Sequence, residues 1–230
     1  MLLNLRAQYS AGTTPRQTAD AVITALTPAA WYRNATGVTE AGGFASQWDD
    51  YSGNARHLVQ AAGTNQPAYS AGVFTFDGVD NYMTASFTSN QPITYYLVGS
   101  QVTWSAGFEY LFDGGIADRV ALAQAVGTPG LSLYAGSFVA NNTNLAVNTA
   151  GIVCAVFNGA SSSLRVNNTV KTTGNAGANN AAGVTLGGRA GGAGQAGHMT
   201  AREFIIFSAA HDDATQSSVI TALNNALTVF

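Results

Sequence analysis

The chain has 230 residues, of which 47% are hydrophobic and only 9% are charged, and its formal net charge is -3; this size and apolar content fit one large domain with a single core. The 9 basic residues form no cluster along the sequence, which argues against nucleic-acid binding, and no stretch approaches the roughly 18 apolar residues of a membrane span. A surface with so few charges is poorly protected against association, so the composition favours an oligomer or a larger assembly.

A helix is predicted close to the amino terminus. In TTPRQTADAVITAL, Thr14 is a suitable N-cap, Pro15 stands at the first helical position and Gln17 at the third, which is a capping-box arrangement. The preceding start, MLLNLRAQYS, has too short an apolar run for a signal peptide, so the protein is expected to be made in the cytoplasm. We treat residues 1–27 as an N-terminal extension whose helix either packs on the domain's own sheet or forms an attachment segment.

The stretch SQWDDYSGNARHLVQ, residues 46–60, is predicted to be a structural corner of the fold. Asp, Ser, Gly and Asn all favour turns, and a tryptophan beside them is expected to enter the core. The residues assigned to this turn are Trp48, Asp50, Ser52, Gly53 and Asn54. The functional alternative makes Asp49 or Asp50 an acid or a metal ligand, with His57 as the base.

Short strands are predicted over most of the chain after this corner. Runs such as ITYYLVGSQVTW and GIVCAVFNG are rich in β-branched and aromatic residues and are separated by Gly and Asn. About nine such runs favour two packed antiparallel sheets. The single cysteine, Cys154, lies in one of these runs; it excludes an internal disulfide and is interpreted as a small buried side chain.

Two acidic turns are candidates for a metal site. In FDGVDNYM, Asp77, Asp80 and Asn81 carry the oxygen atoms that calcium prefers, but Asp-Gly is also a turn signal, and the turn is the favoured interpretation. The same alternatives apply to Asp113 and Asp118 in FDGGIAD. We therefore predict no cofactor, with calcium as the alternative.

Aromatic side chains are the candidates for a carbohydrate site, because sugar rings stack on aromatic faces. The candidate residues are Trp104, Tyr95, Tyr96 and Tyr110. Neighbours in a strand point to opposite faces, so one of Tyr95 and Tyr96 is expected in the core and the other at the surface. Trp104 is the strongest candidate for exposure, because QVTWSAG resembles a strand that ends in a loop. The structural alternative is that these rings fill the core.

A second helix is predicted at the carboxyl-terminal end. In HDDATQSSVITALNNAL, Asp213 and Gln216 repeat the capping pattern of the first helix. The apolar side chains that follow form one stripe at helical spacing: Val219, Ile220, Leu223 and Leu227.

The order of several motifs resembles a known family. The motifs are AAWYRN, the W-x-D-x-S-G-N pattern that begins at Trp48, FDGVDNYM, VFNGASSSLRVNN, LGGR at 186–189 and REFIIFS at 202–208. Together they are similar to the concanavalin A-like jelly roll in its laminin-G-like form, of the type found in bacteria and bacteriophages. The resemblance covers residues 28–228 and implies an all-β, two-sheet antiparallel jelly-roll sandwich over residues 28–230, with an N-terminal and a C-terminal helix.

This family also includes glycoside hydrolases, which need two carboxylates about 5 to 10 Å apart. In its jelly-roll hydrolases these carboxylates follow a Glu-x-Asp-x-x-Glu pattern, and Glu40, Glu109 and Glu203 of this chain have no such arrangement. The comparison with the family's motif therefore predicts a protein that is not an enzyme.

Jelly rolls of this type belong mostly to secreted or surface proteins, yet this chain shows no secretion signal. A bacteriophage structural protein reconciles the two observations, because it is assembled in the host cytoplasm and released by lysis. The resemblance thus predicts a virion component, a capsid decoration or tail-associated protein, whose partners are other virion proteins or copies of itself. The alternative is a carbohydrate-binding module or adhesin that recognises host-surface glycans. Neither function involves nucleic acid or a membrane as partner.

Overall fold

The computed structural model describes residues 12–115, 118–125, 127–191 and 194–230, so the first eleven residues of the predicted N-terminal extension lie outside the described residues. The helices are α1 (Pro15–Ala25) and α2 (Asp213–Leu227). The strands are β1 (Ala30–Tyr32), β2 (Val38–Ala41), β3 (Phe44–Trp48), β4 (Leu58–Val59), β5 (Ala68–Ser70), β6 (Val73–Asp77), β7 (Met83–Ser89), β8 (Ile93–Gln101), β9 (Tyr110–Asp113), β10 (Ala121–Gln124), β11 (Leu131–Tyr134), β12 (Phe138–Asn142), β13 (Gly151–Phe157), β14 (Ser162–Val166), β15 (Thr172–Gly174), β16 (Ala181–Leu186) and β17 (His198–Phe207). Neither α1 nor α2 has the length and apolar character that a transmembrane helix requires.

The amino-terminal cap of α1 is the predicted capping box. Thr14 Oγ1 accepts a hydrogen bond from the backbone N–H of Gln17 at 3.2 Å, and Gln17 Oε1 accepts one from the backbone N–H of Thr14 at 2.8 Å. For α2 the predicted cap is wrong by one residue, because Asp212 and not Asp213 accepts the hydrogen bond from Thr215 N–H. Two adjacent aspartates offer the same chemistry, and the sequence alone does not distinguish them.

Thr14→Ala should lower the free energy of unfolding by about 1 kcal/mol, because it leaves the Gln17 N–H without its acceptor at the first turn of α1. Thr14→Ser, which keeps the hydroxyl, should stay close to the wild type. Urea unfolding of the three proteins measures the difference. Equal stabilities of the alanine and serine variants would contradict a contribution from this cap.

Both helices pack against the same side of the sheet. The apolar stripe of α1, centred on the fully buried Ile23, meets the stripe of α2. Together they cover outward-facing side chains of β8, β13 and β17, among them Tyr96, Cys154 and Phe207. The described part of the N-terminal extension is therefore packed on its own domain, where its helix finds the apolar surface that an isolated amphipathic helix lacks.

All strands except β1 and β2 follow one another in a single path of antiparallel pairs. From β15 the path runs through β14, β13, β8, β17, β6, β5 and β3, and then through β4, β7, β16, β9, β10 and β11 to β12. The two ends meet, because β12 lies against β14 and β15. The strands thus form one nearly closed, barrel-like sheet, which β1 and β2 extend at β17 and β3.

The predicted two-sheet jelly-roll sandwich is therefore wrong. The hydrogen-bonded path continues around the molecule through the short strands β3 to β6, with single pairs Phe44↔Ala68 and Val59↔Thr84 at the corners. Closure of this kind satisfies strand edges that two separate sheets would leave open. The sequence indicates where strands lie, whereas the pairing of short strands far apart in the chain decides whether the sheet closes.

Aromatic side chains pack on one another in the interior of the ring, among many aliphatic ones. Trp48 stacks on Phe74 with ring centres 4.1 Å apart, and Tyr95 stacks on Phe112 at 4.6 Å. Phe204 of β17 contacts Phe112 at 5.5 Å and thereby joins opposite sides of the ring. These five side chains are fully or almost fully buried, so they fix the shape of the sheet from within.

Candidate functional site

The outer surface of β7, β16, β9, β10, β11 and β12 is not the surface that the helices cover, and we call it the open face. Directly paired residues of these six strands form one line across it, here called the cross-strand row. Its members, in order, are Thr84, Thr185, Asp113, Ala121, Tyr134 and Phe138. Residues directly opposite each other in antiparallel strands project to the same side, so the row aligns hydroxyl groups, a carboxylate and aromatic rings on one surface.

The β12 end of the row is an aromatic platform. The ring centres of Tyr134 and Phe138 are 4.8 Å apart, and Phe108 from the loop before β9 adds a third ring at 4.9 Å from Phe138. Phe138 is 45% exposed and Phe108 is 37% exposed. Three adjoining rings that keep this much surface open provide a stacking site for a ligand with a flat apolar side.

Asp113 at the centre of the row is fully buried. Its Oδ2 accepts hydrogen bonds from Arg119 Nη1 at 2.6 Å and from the Ala190 N–H at 3.1 Å. Among the described residues Oδ1 has no hydrogen-bond partner. Burial raises the pKa of Asp113, and the Ala190 N–H and the Arg119 guanidinium oppose this only in part. The carboxyl group thus has unused hydrogen-bonding capacity beneath the surface, which a buried water molecule can satisfy.

Arg119 connects this carboxylate to the aromatic side chains. Its guanidinium carbon lies 5.8 Å from the ring centre of Tyr110, which packs beside Tyr134 and Ala121. The ion pair with Asp113 fixes one side of the guanidinium group, so the remaining N–H donors have a defined direction. Burial raises the pKa of Tyr110, while Arg119 lowers it, and the phenol group remains a neutral donor.

The β7 end of the row is a groove of about 440 Å³. Hydroxyl groups of Thr84, Ser86 and Thr185 line it, together with glycines and small side chains on both sides. Two of its lining residues are linked to Asp113. Gly114 follows Asp113 in the chain, and the backbone N–H of Ala190 donates a hydrogen bond to its carboxylate. The groove and the aromatic platform therefore lie on either side of the Asp113 carboxyl group.

The predicted carbohydrate residues are divided among three environments. Tyr110 lies on the open face, although only 7% of it is exposed. Tyr95 is buried inside the ring and Tyr96 beneath α2, so the expectation that one of them is exposed is wrong; the helix covers the second face. Trp104 is half-buried, and its Nε1 donates to the carbonyl of Gly130 at 3.1 Å.

The predicted calcium residues form a tight turn. Asp77 Oδ1 accepts hydrogen bonds from the backbone N–H groups of Val79, Asp80 and Asn81 at 2.9 to 3.2 Å. Burial raises the pKa of Asp77, but these three N–H groups lower it by more. The described residues contain no group of three His, Cys, Asp or Glu side chains that could hold a metal ion. The geometry here is that of an Asx turn.

The segment from Trp48 to Asn54 forms the corner between β3 and β4. Trp48 is fully buried, and its Nε1 donates to the carbonyl of Arg33. Asp50 accepts hydrogen bonds from the N–H groups of Trp31, Ser52 and Arg56 and from the Ser52 hydroxyl. All of these contacts are internal to the fold.

The next residues of that corner close it. Gly53 has a φ of +88°, a left-handed conformation that glycine adopts without strain, and the Asn54 side chain donates to the carbonyl of Ala29 at 3.0 Å. His57 Nδ1 lies 3.1 Å from Asp49 Oδ1, and it also accepts a hydrogen bond from the Asp50 N–H. The imidazole is thus engaged by the backbone of its own loop.

The aromatic platform was missed in the sequence. Tyr134 and Phe138 occur in SLYAGSFVANN, where Gly and Ser suggest only a turn. Asp113 and Phe138 are 25 positions apart, and the register of β9, β10, β11 and β12 alone brings them into one row. An available signal was Phe138 itself, a large aromatic residue directly after the turn residues Gly136 and Ser137.

No protein-family model and no curated protein matches the sequence. Solved structures match the fold. A mutant of Trypanosoma rangeli sialidase displaying trans-sialidase activity superposes with a TM-score of 0.66 at 12% identity, covering 92% of this chain and 38% of that one. An arabinofuranosidase complexed with arabinofuranosyl-alpha-1,2-xylobiose gives 0.61 at 14% identity, with coverage of 80% and 51%. A GH54 α-L-arabinofuranosidase gives 0.62 at 12% identity, with coverage of 93% and 65%. The chain spans less than two thirds of the length of each of these proteins.

These matches overturn the identity predicted from the sequence. The neighbours are sialidase and arabinofuranosidase structures, so the assignment to the concanavalin A-like, laminin-G-like family is wrong. The predicted non-enzymatic virion protein, a capsid decoration or tail protein of a bacteriophage, is wrong as well, because the neighbours are carbohydrate-processing enzymes. At this level of identity the similarity concerns the fold, and the motifs that suggested the jelly roll were individually too weak to separate two antiparallel all-β folds.

Proposed function

We propose that the open face binds a saccharide and that this chain supplies carbohydrate recognition within a carbohydrate-processing enzyme. The observation that carries the proposal is the cross-strand row. It places the half-buried ring of Tyr134 and the exposed ring of Phe138 in line with the groove at Thr84 and Thr185. A sugar ring has one flat side of C–H groups and a rim of hydroxyl groups, so it needs a stacking surface and hydrogen-bonding groups within one binding site.

Recognition fits this geometry better than hydrolysis by the row itself. Glycoside hydrolysis requires two carboxylates, one as acid and one as base or nucleophile, and Asp113 is the one carboxylate among the six residues of the row. It is also tied to Arg119 and to the backbone of Ala190. We therefore assign Asp113 a positioning role, in which it orients the Arg119 guanidinium group.

The fold supports the wider context of the proposal. Arabinofuranosidases and a sialidase share it, and the saccharide named for one of them, arabinofuranosyl-alpha-1,2-xylobiose, is a reasonable first probe for this chain. Its neutral, branched shape would extend from a stacking platform into a groove of about 440 Å³. Participation in a carbohydrate-processing reaction is likewise a proposal, since the chain covers only 51% of that arabinofuranosidase.

Phe138→Ala should weaken saccharide binding about tenfold, because a stacked ring contributes roughly 1 kcal/mol beyond its buried area. Tyr134→Ala should have a similar effect. The matched control is Phe230→Ala, which removes a ring that is 54% exposed at the carboxyl terminus, away from the row. A glycan array that includes arabinofuranosyl-alpha-1,2-xylobiose identifies the best ligand, and calorimetric titration of that ligand measures the three affinities.

Two results would contradict this function. One is an array on which the folded wild type binds no saccharide. The other is a ligand whose affinity falls equally for Phe138→Ala and Phe230→Ala, which would place binding outside the open face.

A further inference from the structure

A second groove lies apart from the open face, between α1 and the β3–β4 corner, and we call it the α1 groove. Its volume is about 470 Å³. The side chains that shape it include Thr24 and Thr27 at the end of α1, Tyr51, Asn54 and Arg56 of the corner, and Ser208 after β17. This groove and the groove at the β7 end of the cross-strand row have no lining residue in common, so we treat them as separate surfaces.

The α1 groove has a positive charge that no acidic side chain balances. Arg56 is its one charged lining residue, and among the described residues it takes part in no ion pair. The nearby Asp50 carboxylate accepts three backbone N–H groups and the Ser52 hydroxyl, so its hydrogen-bonding capacity is directed into the fold. A guanidinium group without a carboxylate partner favours an anionic ligand.

The position of Arg56 is fixed before any ligand binds. Its Nη1 donates to the carbonyl of Ala29 at 3.1 Å, and its guanidinium carbon lies 4.5 Å from the ring centre of Phe87. These contacts use one N–H and one face of the Arg56 guanidinium group. Among the described residues, its other N–H donors have no acceptor. A preorganised guanidinium loses little conformational entropy when it binds an anion.

Tyr51 provides an aromatic surface beside this charge. Its backbone N–H donates to the carbonyl of Trp31 at 2.7 Å, and its ring meets that of Trp31 at a right angle, with centres 5.0 Å apart. The Arg33 guanidinium lies 5.1 Å from the same ring. Tyr51 is nevertheless 51% exposed, so a firmly held ring offers half of its surface to a ligand.

The α1 side of the groove supplies hydroxyl groups. The carbonyl groups of Ile23 and Thr24 in the last turn accept hydrogen bonds from the N–H groups of Leu26 and Thr27. Thr27, which follows the C-cap residue Leu26, has a φ of +52°, a conformation that suits glycine and strains a β-branched residue. Threonine at this position adds a hydroxyl group to the groove wall at a conformational cost of about 1 kcal/mol.

From this charge and geometry we infer that the α1 groove binds an anionic saccharide. Its carboxylate or sulfate group pairs with Arg56, its ring stacks on Tyr51, and its hydroxyl groups donate to the end of α1. This site differs from the open face both in place and in ligand charge. Its existence does not rest on saccharide binding by the cross-strand row.

The test titrates the full chain with sodium glucuronate, glucose 6-sulfate and glucose by calorimetry. The first two should bind at least tenfold more tightly than glucose, because only they carry a charge for Arg56, and their affinities should fall as salt is added. Arg56→Gln should reduce glucuronate affinity at least tenfold, to the level of glucose. Phe230→Ala, which removes an exposed ring that lines neither groove, is the control and should leave glucuronate affinity unchanged.

Each outcome decides the inference. Binding of glucuronate alone or of glucose 6-sulfate alone supports it and assigns the anionic group. Equal affinities for all three compounds overturn it, as does undiminished affinity for the bound anionic compound in a folded Arg56→Gln protein. If circular dichroism shows that Arg56→Gln does not fold, Tyr51→Ala decides: a loss of fivefold or more supports the site, and no loss overturns it. A loss in Phe138→Ala alone would move glucuronate to the open face.

Discussion

Glu203→Ala should lower the free energy of unfolding by about 3 to 5 kcal/mol. Glu203 in β17 is fully buried, and it accepts hydrogen bonds from Arg16 Nη1 at 2.6 Å and from Trp31 Nε1 at 2.8 Å. The substitution would leave the buried indole N–H of Trp31 and the Nη1 donor of Arg16 without their acceptor, while Asp20 still pairs with the other side of the Arg16 guanidinium group. Desolvation of unpaired polar groups is the main source of the loss.

Chemical unfolding of matched variants measures this effect. Asp213→Ala is the control. Asp213 pairs with Lys171 and Arg165, but its side chain is 60% exposed, and surface pairs of this kind contribute little to stability. Glu203→Gln retains an acceptor for Trp31 and should fall between the two. If Glu203→Ala proves no more destabilising than Asp213→Ala, the buried network does not hold α1 on the sheet.

The Glu203 network also shows where sequence analysis stops. Arg16 and Glu203 are 187 positions apart in the sequence, and they meet only because α1 packs next to β17 in the folded chain. The capping box at Thr14 was predictable because all of its groups lie within four consecutive residues. Ion pairs between distant segments leave no comparable pattern, and Arg16 in the sequence indicates only a polar helix face.

The difference between local and long-range interactions also explains why the strands were predicted but the closed sheet was not. Alternating apolar runs located the strands, because side-chain direction along a strand is a local property. Closure of the ring depends on short strands such as β4 (Leu58–Val59), whose pairing with β7 involves Val59 and Thr84 alone. Two residues carry no recognisable pattern, and a two-sheet arrangement was therefore the simpler interpretation of the same strands.

The candidate site was hidden for a related reason. Tyr95 and Tyr96 have the expected opposite directions, but their exposure depends on α2, which lies more than a hundred residues later in the chain. Tyr110 was a candidate from the sequence and lies on the open face, whereas Tyr134 and Phe138 join the site only through the strand register with Asp113. Sequence supplies the residue types of a sugar site, and strand pairing supplies the arrangement.

His211 should make the protein unstable in acid. This residue precedes α2; its backbone N–H donates to the Thr94 hydroxyl, and its Nδ1 lies 2.9 Å from the hydroxyl oxygen of Tyr96. His211 is only 8% exposed, and the ring of Phe207 packs against its imidazole with ring centres 4.5 Å apart. Burial lowers the pKa of His211 from 6.5 to about 4, and the adjacent Asp212 carboxylate only partly opposes this.

The direction of the effect follows from proton linkage. Above pH 6.5 His211 is neutral in the folded and the unfolded chain, and its full contribution to stability is present. Between pH 6.5 and about 4 the unfolded chain binds a proton that the folded chain does not, so stability falls as the pH falls. One pKa unit corresponds to about 1.4 kcal/mol, so the loss reaches roughly 3 kcal/mol once both states are protonated.

Urea unfolding at a series of pH values from 7.5 to about 4 tests this. His211→Asn should be less stable than the wild type at pH 7.5, and the difference should shrink on acidification because the variant has no imidazole to protonate. Tyr96→Phe is the matched control: it removes the hydroxyl partner of Nδ1 and should lose stability while keeping the acid dependence. Parallel curves for the wild type and His211→Asn would show that other groups cause the acid sensitivity. Convergence of those two curves, with Tyr96→Phe parallel to the wild type, would locate the acid-sensitive contact at the junction of α2 and the sheet.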